Sequence, residues 1–109
     1  MLGKTVKVIV DRPLGTCHPE YHFRYPINYG YIRSIPAPDG EAQDAYVIGV
    51  DKPVTEFVGT VIAIIHRYDD VEEKWVVAPP GRLFTKAEIQ AQVHFQEQYF
   101  RSEIRMERR

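Results

Sequence analysis

Four short segments of the chain carry the residue pattern of β-strands, and turn-forming residues separate them. In Thr5–Asp11, valines occupy every second position, which is the period of a strand with one buried face. Asp44–Val50, Phe57–Arg67 and Glu72–Ala78 also have strand-like patterns. The run Val61–Ile65 is apolar on both faces, so its strand should lie centrally in a sheet. These segments predict a fold built mainly on a sheet.

The remaining segments predict an extended stretch, a turn and a helix. Arg24–Ile32 is rich in aromatic residues and favours a short extended stretch. The prolines and the Asp-Gly pair within Ile35–Asp44 favour a turn. A helix is predicted from Thr85 to about Arg105, because Thr85 and Glu88 have the spacing of a capping box. Four apolar residues would form one stripe on this helix: Ile89, Val93, Phe100 and Ile104. Residues 105–109 are expected to be a frayed, solvated end.

The composition excludes several classes of protein. The 109 residues are enough for one domain, and 14 basic against 15 acidic residues give a formal charge of −1. A general nucleic-acid binder or a membrane-surface protein is expected to have an excess of basic residues, and this chain has none. A single cysteine excludes an internal disulfide and a cysteine-rich zinc site. The longest apolar run is too short to span a bilayer, and the first ten residues do not have the pattern of a signal peptide, so we expect a cytoplasmic protein.

Two clusters of carboxylates follow one another along the chain. The first contains Asp39, Glu41 and Asp44, and the second contains Asp69, Asp70, Glu72 and Glu73. Alone, the first cluster is typical of a solvated hairpin turn. If neighbouring antiparallel strands bring both turns to one end of the sheet, the carboxylates would repel one another unless a divalent cation binds, and Mg²⁺ prefers such oxygen ligands. The alternative is that the two turns face different ways.

The period of a strand separates the acidic residues of the second cluster. Glu72 and Lys74 should point to one face and Glu73 to the other. A carboxylate for metal beside an ammonium group for phosphate would suit phosphate chemistry, whereas the alternative is a surface ion pair of little energetic value. Whether Glu72 or Glu73 is the ligand stays open.

Tyrosines are the other candidate site residues. Tyr25, Tyr29 and Tyr31 would alternate along one face of an extended segment. Packing is the expected role of at least two of them, and the alternative is that their hydroxyl groups donate to phosphate oxygens. On the predicted helix, Tyr99 lies beside the apolar stripe and could reach over the sheet.

Three of these segments together resemble a known family. The stretch YPINYGYI at 25–32, followed by DGEAQD at 39–44, resembles the signature region of the soluble (family I) inorganic pyrophosphatases, where YP-x-NYGY precedes DGDP-x-D. The turn containing Asp69, then Glu72-x-Lys74 and the VVAP stretch, is similar to the second acidic segment of that family. HFQEQY at 94–99 resembles the family's HFFEHYK-type helix, so the matches run from about Tyr25 to Tyr99.

The resemblance implies a mainly β (α+β) fold, a small OB-like five-stranded barrel with a C-terminal helix, formed by the single domain 1–109. It also implies Mg²⁺-dependent hydrolysis of pyrophosphate to two phosphates, with Mn²⁺ as an alternative ion, and self-association. The implied metal ligands are Asp39, Glu41, Asp44, Asp69 and Glu72, with Asp11 as a further site carboxylate. The implied catalytic residues are Glu41, Lys74 and Tyr29. The implied substrate-binding residues are Lys74, Tyr29, Tyr99 and Arg101.

The chain departs from the family's pattern at positions that matter for chemistry. Glu41 replaces the aspartate that serves there as general base and metal ligand, and its extra methylene moves the carboxylate by roughly 1 Å. The hairpin before the YP motif, which carries a phosphate-binding lysine and arginine in the family, is largely missing. Phe100 stands where the family has a phosphate-binding lysine, with Arg101 adjacent.

These departures leave two alternatives to pyrophosphate hydrolysis. One is hydrolysis of another phosphoanhydride or phosphorylated metabolite in a more open site. The other is a non-catalytic module that binds phosphate compounds or stacks single-stranded nucleic acid on exposed tyrosines, although the net charge argues against nucleic acid.

Overall fold

The alternating valines of the first segment form a strand, and in the part of the chain that the structure describes five further strands and one helix follow it. A computed structural model describes residues 2–37, 40–68 and 72–106. Its elements are β1 (Thr5–Arg12), β2 (Asn28–Pro36), β3 (Ala42–Val47), β4 (Glu56–Arg67), β5 (Glu73–Ala78), α1 (Lys86–Glu97) and β6 (Ser102–Met106).

The strands form a closed barrel with one strand added outside it. The sheet order is β1-β2-β3-β5-β4-β6, and β1 also pairs with β4, which closes the first five strands on themselves. The pairings are antiparallel except that β3 and β5 are parallel. As predicted, the strand containing Val61–Ile65 is central, because β4 pairs with β1, β5 and β6. The prediction of a small, mainly β five-stranded barrel with a C-terminal helix is confirmed.

The two faces of the strands bury two separate apolar clusters. Inside the barrel the cluster includes Val6, Val8, Val10, Ile32, Val61 and Val77. On the outer face a second cluster, which packs against α1, includes Tyr46, Ile48, Ile65, Val76, Ile89 and Val93. Adjacent residues of β5 therefore serve opposite sides of the sheet, which explains why the sequence there is apolar at successive positions.

Gly30 marks the closest approach of two strands. A Cβ at this position would lie 1.8 Å from the carbonyl oxygen of Ile9 in the neighbouring strand β1. Only glycine fits here, and this explains why a glycine interrupts the aromatic stretch Arg24–Ile32. The adjacent Asn28 is fully buried, and its side-chain oxygen accepts hydrogen bonds from the backbone N–H groups of Leu14 (2.9 Å) and Val54 (3.2 Å). Asn28 thus joins two loops to the barrel.

The predicted helix is too long at its C-terminal end. Helix α1 ends at Glu97, and Ser102–Met106 forms strand β6, so Phe100 and Ile104 do not continue a helical stripe and Arg105 is not part of a frayed end. Ile104 instead pairs with Ile65 of β4. The open edge of β4 offers a backbone partner that local sequence preference cannot reveal, and this long-range pairing outweighs helix propensity. Within the described ranges, no helix is long and apolar enough to cross a membrane.

Thr85 begins helix α1 through a reciprocal cap. Its Oγ1 accepts from the backbone N–H of Glu88 (3.1 Å), and the Glu88 carboxylate accepts from the backbone N–H of Thr85 (2.8 Å). We expect Thr85→Ala to lower the free energy of unfolding by about 1 kcal/mol in urea titrations, because it leaves an N–H group without its partner. Thr85→Ser keeps the hydroxyl group and should behave like the wild type; equal losses in both variants would contradict this role.

The same cap has a defined pH dependence. Hydrogen bonding to Thr85 holds the pKa of Glu88 below its ordinary value. A carboxylate with a lowered pKa stabilises the folded state at neutral pH, and this contribution disappears as the pH falls through that pKa.

Candidate active site

The two acidic segments of the sequence meet at the start of two neighbouring strands. Strands β3 and β5 run parallel with Ala45 opposite Trp75, so the preceding residues Asp44 and Lys74 lie side by side. The Lys74 Nζ donates to Asp44 Oδ2 (2.6 Å), to Glu72 Oε1 (2.6 Å) and to the Tyr29 hydroxyl (2.8 Å). We call these four residues the Lys74 cluster. The segments converge through a parallel pair, and the predicted antiparallel arrangement was wrong on this point.

The strand period separated the two glutamates correctly. Glu72 contacts Lys74, whereas Glu73 lies on the other face with its carboxylate 3.7 Å from Nδ1 of His66. Of the two glutamates, Glu72 is therefore the one that belongs to the Lys74 cluster.

The Lys74 cluster is largely shielded from water, and its ionisation reflects this. Lys74 is 4% exposed. Burial disfavours its ammonium form, but Tyr29 and the two carboxylates favour it and raise the pKa of Lys74 above the ordinary value. Burial has the opposite effect on Tyr29 and raises its pKa, so its hydroxyl group stays protonated at neutral pH and is available as a donor.

The two carboxylates of the cluster differ in acidity. Burial raises the pKa of Asp44 more than its contact with Lys74 lowers it, and the neighbouring Glu72 adds to the increase. Glu72 is also subject to burial, yet Lys74 and the nearby Arg67 lower its pKa. The pKa values of Asp44 and Glu72 thus shift in opposite directions, because the two carboxylates lie beside one ammonium group and interact with each other.

A second buried hydrogen-bond network contacts the other carboxylate oxygen of Glu72. Arg67 donates to Glu72 Oε2 (3.2 Å) and, through two bonds of 3.1 and 2.6 Å, to the carboxylate of Glu97 on α1. The Tyr46 hydroxyl donates to the same Glu97 carboxylate at 2.6 Å. The bonds and charge of Glu97 outweigh the effect of burial and raise the pKa of Arg67, while burial and Glu97 raise the pKa of Tyr46. This network links the helix to the Lys74 cluster.

Tyr25 is a further buried tyrosine near the Lys74 cluster. It is 3% exposed, and its hydroxyl group donates to Gln96 Oε1 at 3.3 Å. Burial raises the pKa of Tyr25, while a hydrogen bond and the charge of Arg12 lower it; Asp11 raises it and Lys74 lowers it through their charges. Arg12 and Asp11 thus lie within electrostatic range of the same hydroxyl group as Lys74. Asp11 itself is exposed at the end of β1.

Other predicted site residues lie outside this core. Glu41 is exposed just before β3, and its carbonyl oxygen accepts from the Ala37 N–H at 2.7 Å. Tyr99 is 56% exposed and stacks on Tyr21 at 5.4 Å, so it does not reach over the sheet as predicted. Arg101 is exposed just before β6, and its carbonyl oxygen accepts from the Tyr68 N–H. Asp39 and Asp69 lie outside the described residues.

Glu97 and Tyr46 were not predicted from the sequence, and neither was the ion pair that Arg67 forms with Glu97. One signal was available for Glu97, because it follows Val93 by one helical turn and so continues the buried stripe of Ile89 and Val93 with a charged residue. A charge on an apolar stripe indicates a buried partner. Nothing in the sequence identifies Arg67 as that partner.

The donor set is compatible with Mg²⁺. Mg²⁺ is usually bound in proteins through one or two carboxylates together with water and substrate phosphates. Asp44 and Glu72 supply two converging carboxylates of this kind, each bonded to the same ammonium group. Within residues 2–37, 40–68 and 72–106, no three His, Cys, Asp or Glu side chains form a group that could hold a metal ion.

No protein-family model matches the chain, and no curated relative is similar in sequence. Solved structures are similar in fold. An inorganic pyrophosphatase from Ehrlichia chaffeensis is 18% identical with a TM-score of 0.75, and the match covers 97% of this chain and 88% of that one. One from Coxiella burnetii is 18% identical with a TM-score of 0.65, covering 97% and 86%. One from Thermus thermophilus is 16% identical with a TM-score of 0.63, covering 93% and 80%. The chain therefore has the fold of these enzymes.

Proposed function

We propose that this protein hydrolyses pyrophosphate to two phosphates with the help of Mg²⁺. The observation that carries the proposal is the Lys74 ammonium group held between the carboxylates of Asp44 and Glu72, with the Tyr29 hydroxyl beside it. A cation, a neutral donor and two carboxylates at the end of a barrel of this fold match the needs of a charged phosphoanhydride. We also propose that the protein is cytoplasmic, as expected from its sequence.

In this proposal, Lys74 and Tyr29 bind phosphate oxygens. Charge-assisted hydrogen bonds to phosphate are among the stronger ones in proteins, and both side chains are mostly shielded from water. Lys74 neutralises the charge that develops on the departing phosphate when the bridging P–O bond breaks. Lys74 donates its three N–H groups to Asp44, Glu72 and Tyr29, so at least one of these bonds is exchanged for a phosphate oxygen when substrate and Mg²⁺ bind.

The carboxylates would hold the metal. Asp44 and Glu72 would bind Mg²⁺, together with Asp39, Glu41 and Asp69 from the adjoining acidic segments. When bound, Mg²⁺ supplies positive charge that polarises phosphate oxygens and acidifies water. Glu41 would accept the proton of the attacking water, whose oxygen forms the new bond to phosphorus as the bridging bond breaks. Arg67 keeps Glu72 oriented through its 3.2 Å hydrogen bond.

The test is phosphate release from pyrophosphate in the presence of Mg²⁺. We expect the wild type to be active and Asp44→Asn to be slower by about 10²-fold, because the variant removes a ligand charge and loosens Lys74. Asp51→Asn makes the same chemical change at an exposed carboxylate between β3 and β4 and should leave the rate unchanged. Equal rates in the wild type and Asp44→Asn, or no release above background in either, would refute the proposal.

One observation favours a larger phosphoanhydride as a second candidate substrate. Tyr21 and Tyr99 are 58% and 56% exposed and stack on each other, and a series of ring contacts through His18 and Tyr25 connects them to Tyr29. Exposed aromatic faces can stack on a nucleobase. A panel comparing pyrophosphate with nucleoside diphosphates and triphosphates distinguishes the two: preference for the nucleotides, lost in Tyr21→Ala, would favour this alternative.

A further inference from the structure

Strand β1 contains a β-bulge beside the Lys74 cluster. Its pairing with β2 is regular as far as Val10, which lies opposite Gly30, and then shifts by one residue. Arg12, and not Asp11, therefore lies opposite Tyr29. Bulges of this kind redirect side chains and are common next to active sites.

The bulge turns Arg12 away from the barrel interior. Val10 packs inside the barrel, and an unbroken strand would return Arg12 to the same side. Residues directly opposite each other in an antiparallel pair share a face, and Tyr29 packs against the apolar cluster on the outer face. Arg12 therefore lies on the face that carries the Lys74 cluster, where it is half-buried.

Arg12 and Lys74 reach two neighbouring tyrosines. The Lys74 Nζ donates to the Tyr29 hydroxyl at 2.8 Å, and the rings of Tyr29 and Tyr25 are stacked with their centroids 5.8 Å apart. Burial raises the pKa of Tyr25, whereas the charge and a hydrogen bond of Arg12 lower it. Two cations thus approach one pair of tyrosines from different strands.

The charge of Arg12 is not used by a carboxylate of the described residues. Lys74 has a carboxylate on either side, each at 2.6 Å. By contrast, none of the ion pairs among the described residues includes Arg12. A charged group that is partly removed from water is stabilised by an opposite charge, and the planar guanidinium group can bind two oxygens of one phosphate at once.

We infer that Arg12 binds one phosphoryl group of the substrate while Lys74 binds the other. This inference rests on the proposed function, because it assigns a second phosphate-binding residue to the same site. Pyrophosphate is negatively charged on both phosphoryl groups, and Lys74 shares its charge with two carboxylates. A separate cation for each phosphoryl group would fix the direction of the bridging P–O bond and so orient it for attack by water.

Isothermal titration calorimetry in Mg²⁺ with methylenediphosphonate, whose P–C–P bridge replaces the P–O–P bridge of pyrophosphate, tests this assignment. Arg12→Met should raise the dissociation constant roughly 10- to 100-fold, the scale of one hydrogen-bonded charge. Lys7→Met removes one positive charge from an exposed position of the same strand and should bind like the wild type. Arg12→Lys keeps the charge without the planar fork and should bind more weakly than the wild type but more tightly than Arg12→Met.

A double-mutant cycle with Tyr25→Phe separates direct binding from positioning. If Arg12 acted only by holding the Tyr25 hydroxyl, Arg12→Met would have no further effect once that hydroxyl is removed. A direct contact with the phosphoryl group predicts that most of the loss remains in the Tyr25→Phe background. Thermal melting checks that each variant is folded, and Arg12→Lys carries the test if Arg12→Met is not.

Several results would overturn the inference. They are a wild type that does not bind the diphosphonate, wild-type affinity in Arg12→Met or in Arg12→Lys, an equal loss in Lys7→Met, and a loss that disappears in the Tyr25→Phe background. Phosphate release from pyrophosphate is measured separately. Binding that depends on Arg12 without any phosphate release would refute the proposed hydrolysis alone, whereas hydrolysis with unchanged kcat and KM in Arg12→Met would refute this inference alone.

Discussion

Replacing Lys74 by methionine is expected to lower the rate of phosphate release from pyrophosphate by about 10³-fold, the scale of losing a preorganised charge at a developing anion. Lys74 is the cation that three other residues of the site contact, and methionine keeps its length and removes its charge. The loss should appear mainly in kcat, because the charge on the departing phosphate grows during the reaction. Steady-state kinetics in Mg²⁺ measures it.

Lys74→Arg is the matched variant for this prediction. Arginine keeps the positive charge but cannot place a compact ammonium group between Asp44 and Glu72, so the rate should fall less than in Lys74→Met. Thermal melting should show that both variants are folded. If folded Lys74→Met retains the wild-type rate, Lys74 has no part in catalysis.

Arg67→Met is expected to lower the free energy of unfolding by about 3–5 kcal/mol, the range observed when one partner of a buried ion pair is removed. Arg67 and Glu97 are 3% and 7% exposed and share two hydrogen bonds. Without the guanidinium group, the buried carboxylate of Glu97 keeps the hydrogen bond from the Tyr46 hydroxyl, which itself accepts from Gln96, but has no positive charge beside it. Urea unfolding followed by fluorescence measures this loss.

The double variant Arg67→Met with Glu97→Leu is the control. It replaces both charges by apolar side chains, so most of the lost stability should return. A double variant whose loss equals the sum of the two single losses would show that the two side chains do not interact. In that case the network is not what joins α1 to the barrel.

The strands could be predicted from the sequence because their period is visible locally. The alternating valines of β1 and the apolar run within β4 identify strands without any knowledge of partners. The end of α1 could not be found in this way, since apolar residues at 100 and 104 fit a helical stripe as well as they fit a turn and a strand. The edge of β4 decides between the two, and that edge exists only in the folded sheet.

The candidate site shows the same division between local and long-range information. The pairing of Glu72 with Lys74 follows from the period of one strand and was visible in the sequence. The contact of Lys74 with Asp44 depends on the parallel pairing of β3 with β5, which joins segments separated by the whole of β4. The Arg67–Glu97 pair joins a strand to a helix and has no local pattern at all, apart from a charge on the buried stripe of α1.

The most direct test of the Lys74 cluster as an active site is a crystal structure grown with Mg²⁺ and methylenediphosphonate, a pyrophosphate analogue with a carbon bridge that water cannot cleave. We expect its phosphonate oxygens within hydrogen-bonding distance of Lys74 Nζ and the Tyr29 hydroxyl, and Mg²⁺ on the carboxylates of Asp44 and Glu72. If the analogue binds elsewhere, or is absent at saturating concentration while Lys74 stays closed on both carboxylates, the proposed site is wrong.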